Sequence, residues 1–439
     1  MNTSAAIIIF PHSLDFSRDI KYFSLCLAFV LPVQAQKAYT LEECIREALS
    51  NNTKMKNSRN DIDMAEHAKK EAFTKYFPQI SAAGSGFIAN ESLVQMEMAP
   101  GQKMSMLKDG LMGGVTAALP LFTGGQIVNG NKLADVGVEV KKLQHKMTDN
   151  EVALTTENYF WRIVMLKEKI KTVEAVHNQL EKLLQDVQAS VDAGLTTRND
   201  LLQVQLRMNE IESSRIQLDN NLDLSLKLLA QYIGHDDEDL DVSFSIGDNL
   251  PEKPDSLFCN HNTALYSTSE YALLNQNVKA SRLQYKMEIG KNLPTIAIGG
   301  GLVYDNLLGY DQTFLAGFAT VTVPITAWWG GSHSIKKQKL QIANAENQLQ
   351  DQSRMLIIRM QQTWDDLVDA YKQIEIAHLS IEQATENLKL NKDFYSAGTC
   401  PMSDLLEAQT LFSQSRDKYV EAYTMYEIKK HEYLNVTGR

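Results

Sequence analysis

The chain alternates between long stretches with helical spacing of apolar residues and short stretches rich in glycine and β-branched residues. Within 126–193, apolar residues recur three or four positions apart, at Val173, Val176, Leu180, Leu183, Val187 and Val191. The stretch 332–397 repeats this spacing with Leu367, Tyr371, Ile374, Ile381, Ala384 and Leu388. Such spacing is typical of a coiled-coil seam. Each stretch predicts a helix of roughly 65 residues, about 100 Å long, which is too long for a compact domain.

Each predicted rod ends at a glycine, and a second helical stretch follows. Residues 193–205 read AGLTTRNDLLQVQ and residues 397–409 read AGTCPMSDLLEAQ, with six of the thirteen positions identical. Glycine readily adopts the left-handed conformation that closes a helix, and the Asp-Leu-Leu run begins the next one. We therefore predict helical hairpin tips near Gly194 and Gly398.

The two tips belong to an internal duplication. The offset of 204 residues between them also relates Leu119-Pro120 to Val323-Pro324. Between the helices, small, apolar and β-branched residues replace the Lys/Glu pattern, which predicts strands at 79–92, 111–122, 295–305 and 313–325. The first half carries twelve extra residues between its prolines, and we assign this insertion to a loop.

The N-terminus is typical of a secretory signal peptide. Lys21 precedes an apolar core over 22–31, and Val33-Gln34-Ala35 is a small-residue cleavage site. We predict a signal peptide over 1–35, a first structural repeat over 36–234, an acidic inter-repeat linker or equatorial region over 235–261, and a second repeat over 262–439.

Composition excludes several classes of function. A net charge of −11 argues against a nucleic-acid partner, because phosphate binding needs clustered Lys and Arg. The nine histidines form no spaced metal pair, and no Ser/His/Asp or Cys/His arrangement has supporting context. Cys44, Cys259 and Cys400 are too few and too far apart for a disulfide framework. We predict no enzymatic activity, no cofactor and no metal site.

Four strands cannot close a membrane barrel alone, since the smallest barrels have about eight. An exported chain with this pattern must share a barrel with other copies or bury its sheet in another way. A periplasmic coiled-coil scaffold outside the membrane is the alternative. Two glycine-rich strand pairs at matching places in the duplication favour the barrel, because a scaffold has no use for them.

The duplicated halves resemble the TolC-like outer-membrane efflux protein family over the whole mature chain. The strand pairs after Pro78 and Pro294, the segment 395–398 and the run 404–409 carry this resemblance. It implies a mainly α fold with a membrane β-barrel portion: a homotrimer in which each chain gives four strands to a shared twelve-stranded barrel and its coiled-coil helices to an α-helical barrel. It also implies the outer membrane of a Gram-negative bacterium, with the helical tunnel in the periplasm and membrane lipid around the barrel.

The implied function is the exit duct of a tripartite efflux or export system. A periplasmic adaptor protein and an inner-membrane transporter would be the partners, and small molecules, as in multidrug export, the cargo. Heavy-metal efflux or type I protein secretion is the alternative. Only the residues Met96, Met98, Met104, Met106 and Met112 hint at a metal, because thioethers are soft ligands for Cu(I); a flexible apolar loop explains them as well.

The resemblance also assigns residues to the periplasmic entrance. Asp404 and Glu407 match carboxylates that ring it, and their spacing places them on one helical face. Three chains would bring six carboxylates to one axis and favour cations. The alternative is that Asp404 interacts with the helix dipole and Glu407 faces solvent. Asp200 is the counterpart of Asp404 in the first half, where Gln203 replaces the second carboxylate.

Tyr395 matches a family tyrosine that helps to hold the entrance closed. Cys400 stands where the family has the basic partner of those contacts, so closure would depend on Tyr395, on packing of Cys400 or on Arg198 rather than on the family's salt bridge.

Adaptor tips in such systems dock between the hairpins. The candidates for this docking are Gly194, Leu195, Gly398 and Thr399. Helix capping alone is the alternative role of the two glycines.

Overall fold

The structure is a computed structural model that describes residues 37–100, 102–235, 240–247, 249–307, 310–325 and 327–439. The predicted signal peptide over 1–35 lies outside the described residues. Within these ranges, no helix has a stretch both long enough and apolar enough to span a bilayer.

The first repeat contains two short helices, a pair of long strands and a helical hairpin. Its elements are β1 (Lys37–Tyr39), α1 (Leu41–Asn51), α2 (Thr53–Thr74), β2 (Gln79–Ile88), β3 (Val94–Ala99), β4 (Gln102–Met106), β5 (Asp109–Thr123), α3 (Gln126–Asp192) and α4 (Arg198–Ile233).

The second repeat follows a short connecting region and has the same order of long elements. Its elements are β6 (Leu240–Val242), α5 (His261–Ala264), α6 (Ser269–Gly290), β7 (Thr295–Asp305), β8 (Gln312–Thr322), α7 (Ala327–Ser396) and α8 (Met402–Val436), with short 3₁₀ helices at Pro254–Leu257 and Leu265–Ser267.

The two rods of the predicted coiled coils are present. Helix α3 has 67 residues and α7 has 70, so each is about 100 Å long at 1.5 Å per residue. In the lower half the helices lie in the order α4, α3, α8, α7, and in the upper half in the order α2, α3, α6, α7. Helices α2 and α4 therefore form one edge of the layer, and α7 forms the other.

The long strands form one antiparallel sheet in the order β2-β5-β7-β8, and its two faces differ. The register places Ala82, Val115, Leu302 and Leu315 in one row across the sheet. Directly opposite residues share a face, so this face is apolar, and Leu315 is 82% exposed. The other face carries many small and polar residues, among them Ser81 and Thr116, whose hydroxyls lie 3.1 Å apart, together with Phe314 and Phe318 of β8.

The predicted strand boundaries are partly wrong. The first strand, expected over 79–92, ends at Ile88, and the last, expected over 313–325, ends at Thr322. The insertion expected to be a loop forms a separate antiparallel hairpin of β3 and β4. Its residues alternate apolar and polar from Val94 to Met98, a strand signal that the loop assignment overlooked.

The two glycine pairs at the strand-to-helix junctions differ in role. Gly124 and Gly125 have φ of 62° and 77° and lie just before α3. The matching pair, Gly330 and Gly331, instead lies inside the first turns of α7. A Cβ on Gly331 would lie 1.9 Å from Oδ1 of Asn292, so this glycine permits a close approach. The second rod therefore begins before its glycines, whereas the first begins after them.

An equatorial layer packs against the middle of the rods. Strand β1 pairs in parallel with β6, and Tyr39, Leu240 and Val242 join a core with Phe160 and Trp161 of α3. Part of the acidic linker over 235–261 is therefore ordered and buried, although its residues 236–239 lie outside the described ranges. A second core joins α7 and α8 around the fully buried side chains of Leu367, Ile374 and Tyr433.

A buried carboxyl group joins α3 to α8 in this layer. Glu157 is 5% exposed, and its Oε1 lies 3.2 Å from Nδ1 of His431. Burial raises the pKa of Glu157 to about 7, with a further increase from Glu427 and a decrease from Lys430. Burial also lowers the pKa of His431, so both groups favour their neutral forms.

Changing Glu157 to Gln should remove a pH dependence of stability. The folded state holds the carboxyl proton more tightly than the unfolded chain, so this group's contribution to stability falls as pH rises from about 4.5 to about 7. At pH 8 the variant should exceed the wild type by at most about 3 kcal/mol in free energy of unfolding, and below pH 4 the two should converge. Denaturant unfolding followed by circular dichroism at both pH values measures this. A constant difference at all pH values would contradict the assignment.

Candidate functional site at the paired hairpin tips

The two tips have the same backbone geometry. Gly194 and Gly398 have φ of 71° and 70°, the left-handed region that favours glycine. The amide of Leu195 donates to the carbonyl of Ser190 at 2.8 Å, and that of Thr399 donates to the carbonyl of Phe394 at 2.9 Å. These six-to-one hydrogen bonds are those of a Schellman motif. Both tips are therefore formed by the same local motif around one glycine.

The two hairpins pack on each other just above the tips. Val187, Leu201 and Val204 of the first hairpin share a buried cluster with Met402 and Leu405 of the second. Slightly higher, the Gln409 side chain donates to Oε1 of Gln179 at 2.9 Å. The tips therefore form one unit rather than two independent fingers.

Tyr395 lies at the contact between the hairpins. Its ring packs on the shared cluster, and its hydroxyl is within reach of the Thr196 side chain in the first tip. Burial and the charge of Asp200 raise the pKa of Tyr395, so the phenol is neutral. Within one chain, then, Tyr395 couples the second hairpin to the first, and the sequence did not reveal Thr196 as its neighbour.

Asp200 acts mainly within its own turn. Its amide donates to the carbonyl of Thr197, the residue that caps α4, and its carboxylate accepts from the hydroxyl of Thr196 at 2.5 Å. This carboxylate is part of the tip and of its contact with Tyr395. Its geometry differs from that of its counterpart in the second hairpin.

Asp404 and Glu407 are both exposed on the first turns of α8. Oδ1 of Asp404 accepts from the hydroxyl of Ser403 at 3.1 Å, and neither carboxylate forms an ion pair with a described residue. An exposed stripe continues along the same face through Leu411 and Gln414. The structure thus leaves two uncompensated negative charges on one open face of the second hairpin.

The remaining candidates lie around the tip loops. The Cys400 thiol donates to the carbonyl of Asn391 at 3.5 Å, within its own hairpin, and Arg198 is exposed. Leu195 is 80% exposed, and a Cβ on Gly194 or Gly398 would meet nothing within 4 Å. The tips therefore present open surface around an exposed leucine.

The side chains at the hairpin tips offer negative charge and apolar contacts. In the described ranges, no group of three or more His, Cys, Asp or Glu side chains is placed to hold a metal ion. Met106 is the last residue of β4 and Met112 lies on β5, whereas the side chains of Met96, Met98 and Met104 are not among those described. The arrangement at the tips can attract cations and join hairpins.

Known proteins that resemble this chain are proteins of the outer membrane or of protein secretion. Residues 44–235 match the family described as outer membrane efflux protein. The protease secretion protein PrtF of Dickeya chrysanthemi is 20% identical over 266 residues, which are 59% of this chain and 58% of PrtF. The chain thus matches less than two thirds of the length of this curated relative.

Solved structures share the fold over nearly the whole chain. The outer membrane protein VceC of Vibrio cholerae matches with a TM-score of 0.73 and 12% identity, over 91% of this chain and 96% of VceC. A membrane protein of Pseudomonas aeruginosa matches with a TM-score of 0.77 and 13% identity, over 91% of this chain and 93% of the other.

The predicted fold class is confirmed by these matches, as is the prediction of an outer-membrane location with a helical tunnel in the periplasm. Members of this family are channels rather than enzymes, in agreement with the prediction that the protein is not an enzyme. Over residues 44–235 in its sequence, and over most of the chain in its fold, the protein is therefore similar to the TolC-like family of outer membrane efflux proteins.

Proposed function

We propose that three copies of the chain form the exit duct of a tripartite efflux or export system. The observation that carries this proposal is that the sheet and the helical layer are both open at two opposite edges. Strands β2 and β8 end the sheet, and an unpaired strand edge favours pairing with another chain. Three sheets of four strands would close a barrel of twelve.

The edges of the helical layer carry matching apolar residues. On the α4 edge, Leu206 is 63% exposed and Ile216 is 54% exposed. On the α7 edge, Ile358 and Ile376 are 58% and 59% exposed. Long exposed apolar stripes on a soluble helix mark an interface. Joining the α4 edge of one copy to the α7 edge of the next is a head-to-tail contact, which generates a ring when the rotation from copy to copy closes.

The two faces of the sheet support the same arrangement. The apolar row through Val115, Leu302 and Leu315 suits contact with lipid, and the face with Ser81 and Thr116 suits an aqueous channel. In this proposal, membrane lipid surrounds the first face and exported molecules pass along the second.

The tips would form the periplasmic entrance. Asp404 and Glu407 would face the pore, Tyr395 and Asp200 would hold the hairpins together, and Gly194, Leu195, Gly398 and Thr399 would be contacted by the adaptor protein. The exposed Leu195 supports this assignment, because it offers an apolar side chain that its own chain leaves uncovered. An inner-membrane transporter would supply the energy.

Changing Leu206 to Glu should weaken the trimer by about tenfold or more in dissociation constant, because a leucine that is buried on assembly becomes a charge. Changing the neighbouring Gln205 to Glu adds the same charge one position away and should have a smaller effect. Mass measurement of the mature protein in detergent, with electron microscopy of the particles, tests both. A wild-type particle that is a monomer without a barrel would refute the duct.

Protein secretion is a second candidate for the cargo, and the similarity to PrtF favours it. Expressing the full chain, residues 1–439, in a strain that lacks its own secretion duct distinguishes the two. Recovery of an exported protein in the medium would indicate secretion, and recovery of drug tolerance would indicate small-molecule efflux.

A further inference from the structure

A cavity of about 470 Å³ lies where the sheet meets the helices of the first repeat. Its sheet wall contains Gln79, Ala118 and Ala297, which share the face of Ser81 and Thr116 by the strand register. In the proposed duct this is the channel side, so the cavity would open into the lumen at the base of the barrel. This inference therefore depends on the proposed function.

Lys75 is the charged residue in the cavity wall, and no Asp or Glu lines it. Lys75 is exposed and forms no ion pair with any residue in the described ranges, although Glu71 precedes it by one turn. A cation without a counter-ion, facing a cavity, is available for a negatively charged ligand.

The duplication shows what the first repeat lacks. Lys291 follows α6 as Lys75 follows α2, and its Nζ lies 2.8 Å from Oε2 of Glu288. The residue that matches Glu288 in the first repeat is Ala72, which lines the cavity. The same turn thus carries a paired lysine in one repeat and a free lysine above a cavity in the other.

The rest of the wall combines amides and apolar groups. Gln79 and Gln126 line it, together with Ile127 and Met287. Asn131 fixes the wall, because its amide donates to the carbonyls of Ala72 and Ile127 at 3.0 and 2.9 Å. A lysine beside amides can hold an anionic group, and the apolar side chains suit the body of an amphipathic molecule.

We propose that this cavity binds amphipathic organic anions on their way through the barrel. The anionic group would contact Lys75, and the apolar part would lie against Ile127 and Met287. Three chains would present three such sites around the channel. The carboxylates at the periplasmic entrance have the opposite charge, so this site would act at the other end of the tunnel.

Single-channel recording in lipid bilayers tests this with 2-naphthalenesulfonate, added on the barrel side, as a blocker. The half-blocking concentration should rise about tenfold in Lys75→Met, because a contact to a charged group is lost. Ala72→Glu should have a similar effect while keeping the lysine, since it recreates the pair that Glu288 makes with Lys291. The Lys291→Met channel should be blocked by 2-naphthalenesulfonate at the same concentration as the wild-type channel.

The cation 2-naphthylmethylammonium controls for the apolar part of the probe. The cation should block the wild-type channel less strongly than the sulfonate does. In Lys75→Glu the cation should be the stronger blocker of the two. Equal block by the sulfonate in the wild type and in Ala72→Glu, at normal unitary conductance, would overturn the anion site and leave the duct intact. Absence of any conducting channel from the wild type would instead overturn the proposed duct.

Discussion

Changing Asp404 to Asn together with Glu407 to Gln should weaken block of the channel by lanthanum ions from the periplasmic side by about a hundredfold or more. Both carboxylates are exposed on one face of α8 and have no ion-pair partner among the described residues. In a trimer they would amount to six charges around one axis. A contact between a charged group and its partner contributes about 1.5–3 kcal/mol, so losing several such contacts supports an effect of this size.

The matched control changes Glu386 to Gln and Asp393 to Asn. These carboxylates are also exposed and lie near the tip, but on α7. The control loses the same net charge as the Asp404 and Glu407 variant. It differs in keeping the two carboxylates on the exposed face of α8. The control should retain lanthanum block to within a few-fold. The half-blocking concentration in planar bilayers measures both variants.

Two outcomes would contradict the role of this face. Unchanged block in the Asp404 and Glu407 variant would show that the carboxylates face bulk solvent, as the helix-dipole alternative predicts. Equal weakening in the control variant would show that overall charge at the entrance matters and that the face does not. Ionic strength gives a further check, since the difference between the variants should shrink as salt screens the charges.

The hairpin tips could be predicted because their geometry depends on a few neighbouring residues. Gly194 and Gly398 adopt the left-handed conformation that a Cβ disfavours, and the same residues close both helices. The two long helices could also be predicted from the sequence, since an apolar residue every three or four positions gives a helix one continuous buried face.

The equatorial layer could not be predicted, because its contacts join residues far apart in the chain. Strand β1 pairs with β6 about two hundred residues later, and no local pattern marks such a partner. The acidic run at 236–241 looked like a solvated linker, yet Leu240 within it and Val242 just after it are buried. Three residues of strand are too few for alternation to be distinctive.

The candidate site was predicted in its parts and not in its contacts. Sequence placed Tyr395 and Asp200 in separate hairpins as residues of the entrance, and the structure places them near each other across the packed tips. Their proximity depends on how α3 packs on α8, which a single sequence does not specify. The charges of Asp404 and Glu407 share a face because of helical geometry alone.

The junction between sheet and helices should be the part of the fold most sensitive to one added methyl group. A Cβ on Gly124 would lie 2.2 Å from the carbonyl oxygen of Gly290, the last residue of α6. A Cβ on Gly290 would lie 2.4 Å from the carbonyl oxygen of Gly124. The backbones of the two repeats therefore touch here, directly below the sheet.

Changing Gly124 to Ala should lower the free energy of unfolding by roughly 2–5 kcal/mol. The residue has φ of 62°, which costs an L-residue roughly 1–2 kcal/mol, and the methyl group must also push α6 away from the end of β5. Overpacking of this kind typically adds about 1–3 kcal/mol. Changing Gly137 to Ala is the matched control, because Gly137 lies inside α3 and a Cβ there meets nothing within 4 Å. It should stabilise the protein by about 0.5–1 kcal/mol. Thermal unfolding followed by circular dichroism in detergent compares the two. Similar midpoints for both variants would show that the contact between Gly124 and Gly290 is not needed to hold the two repeats together at the base of the sheet.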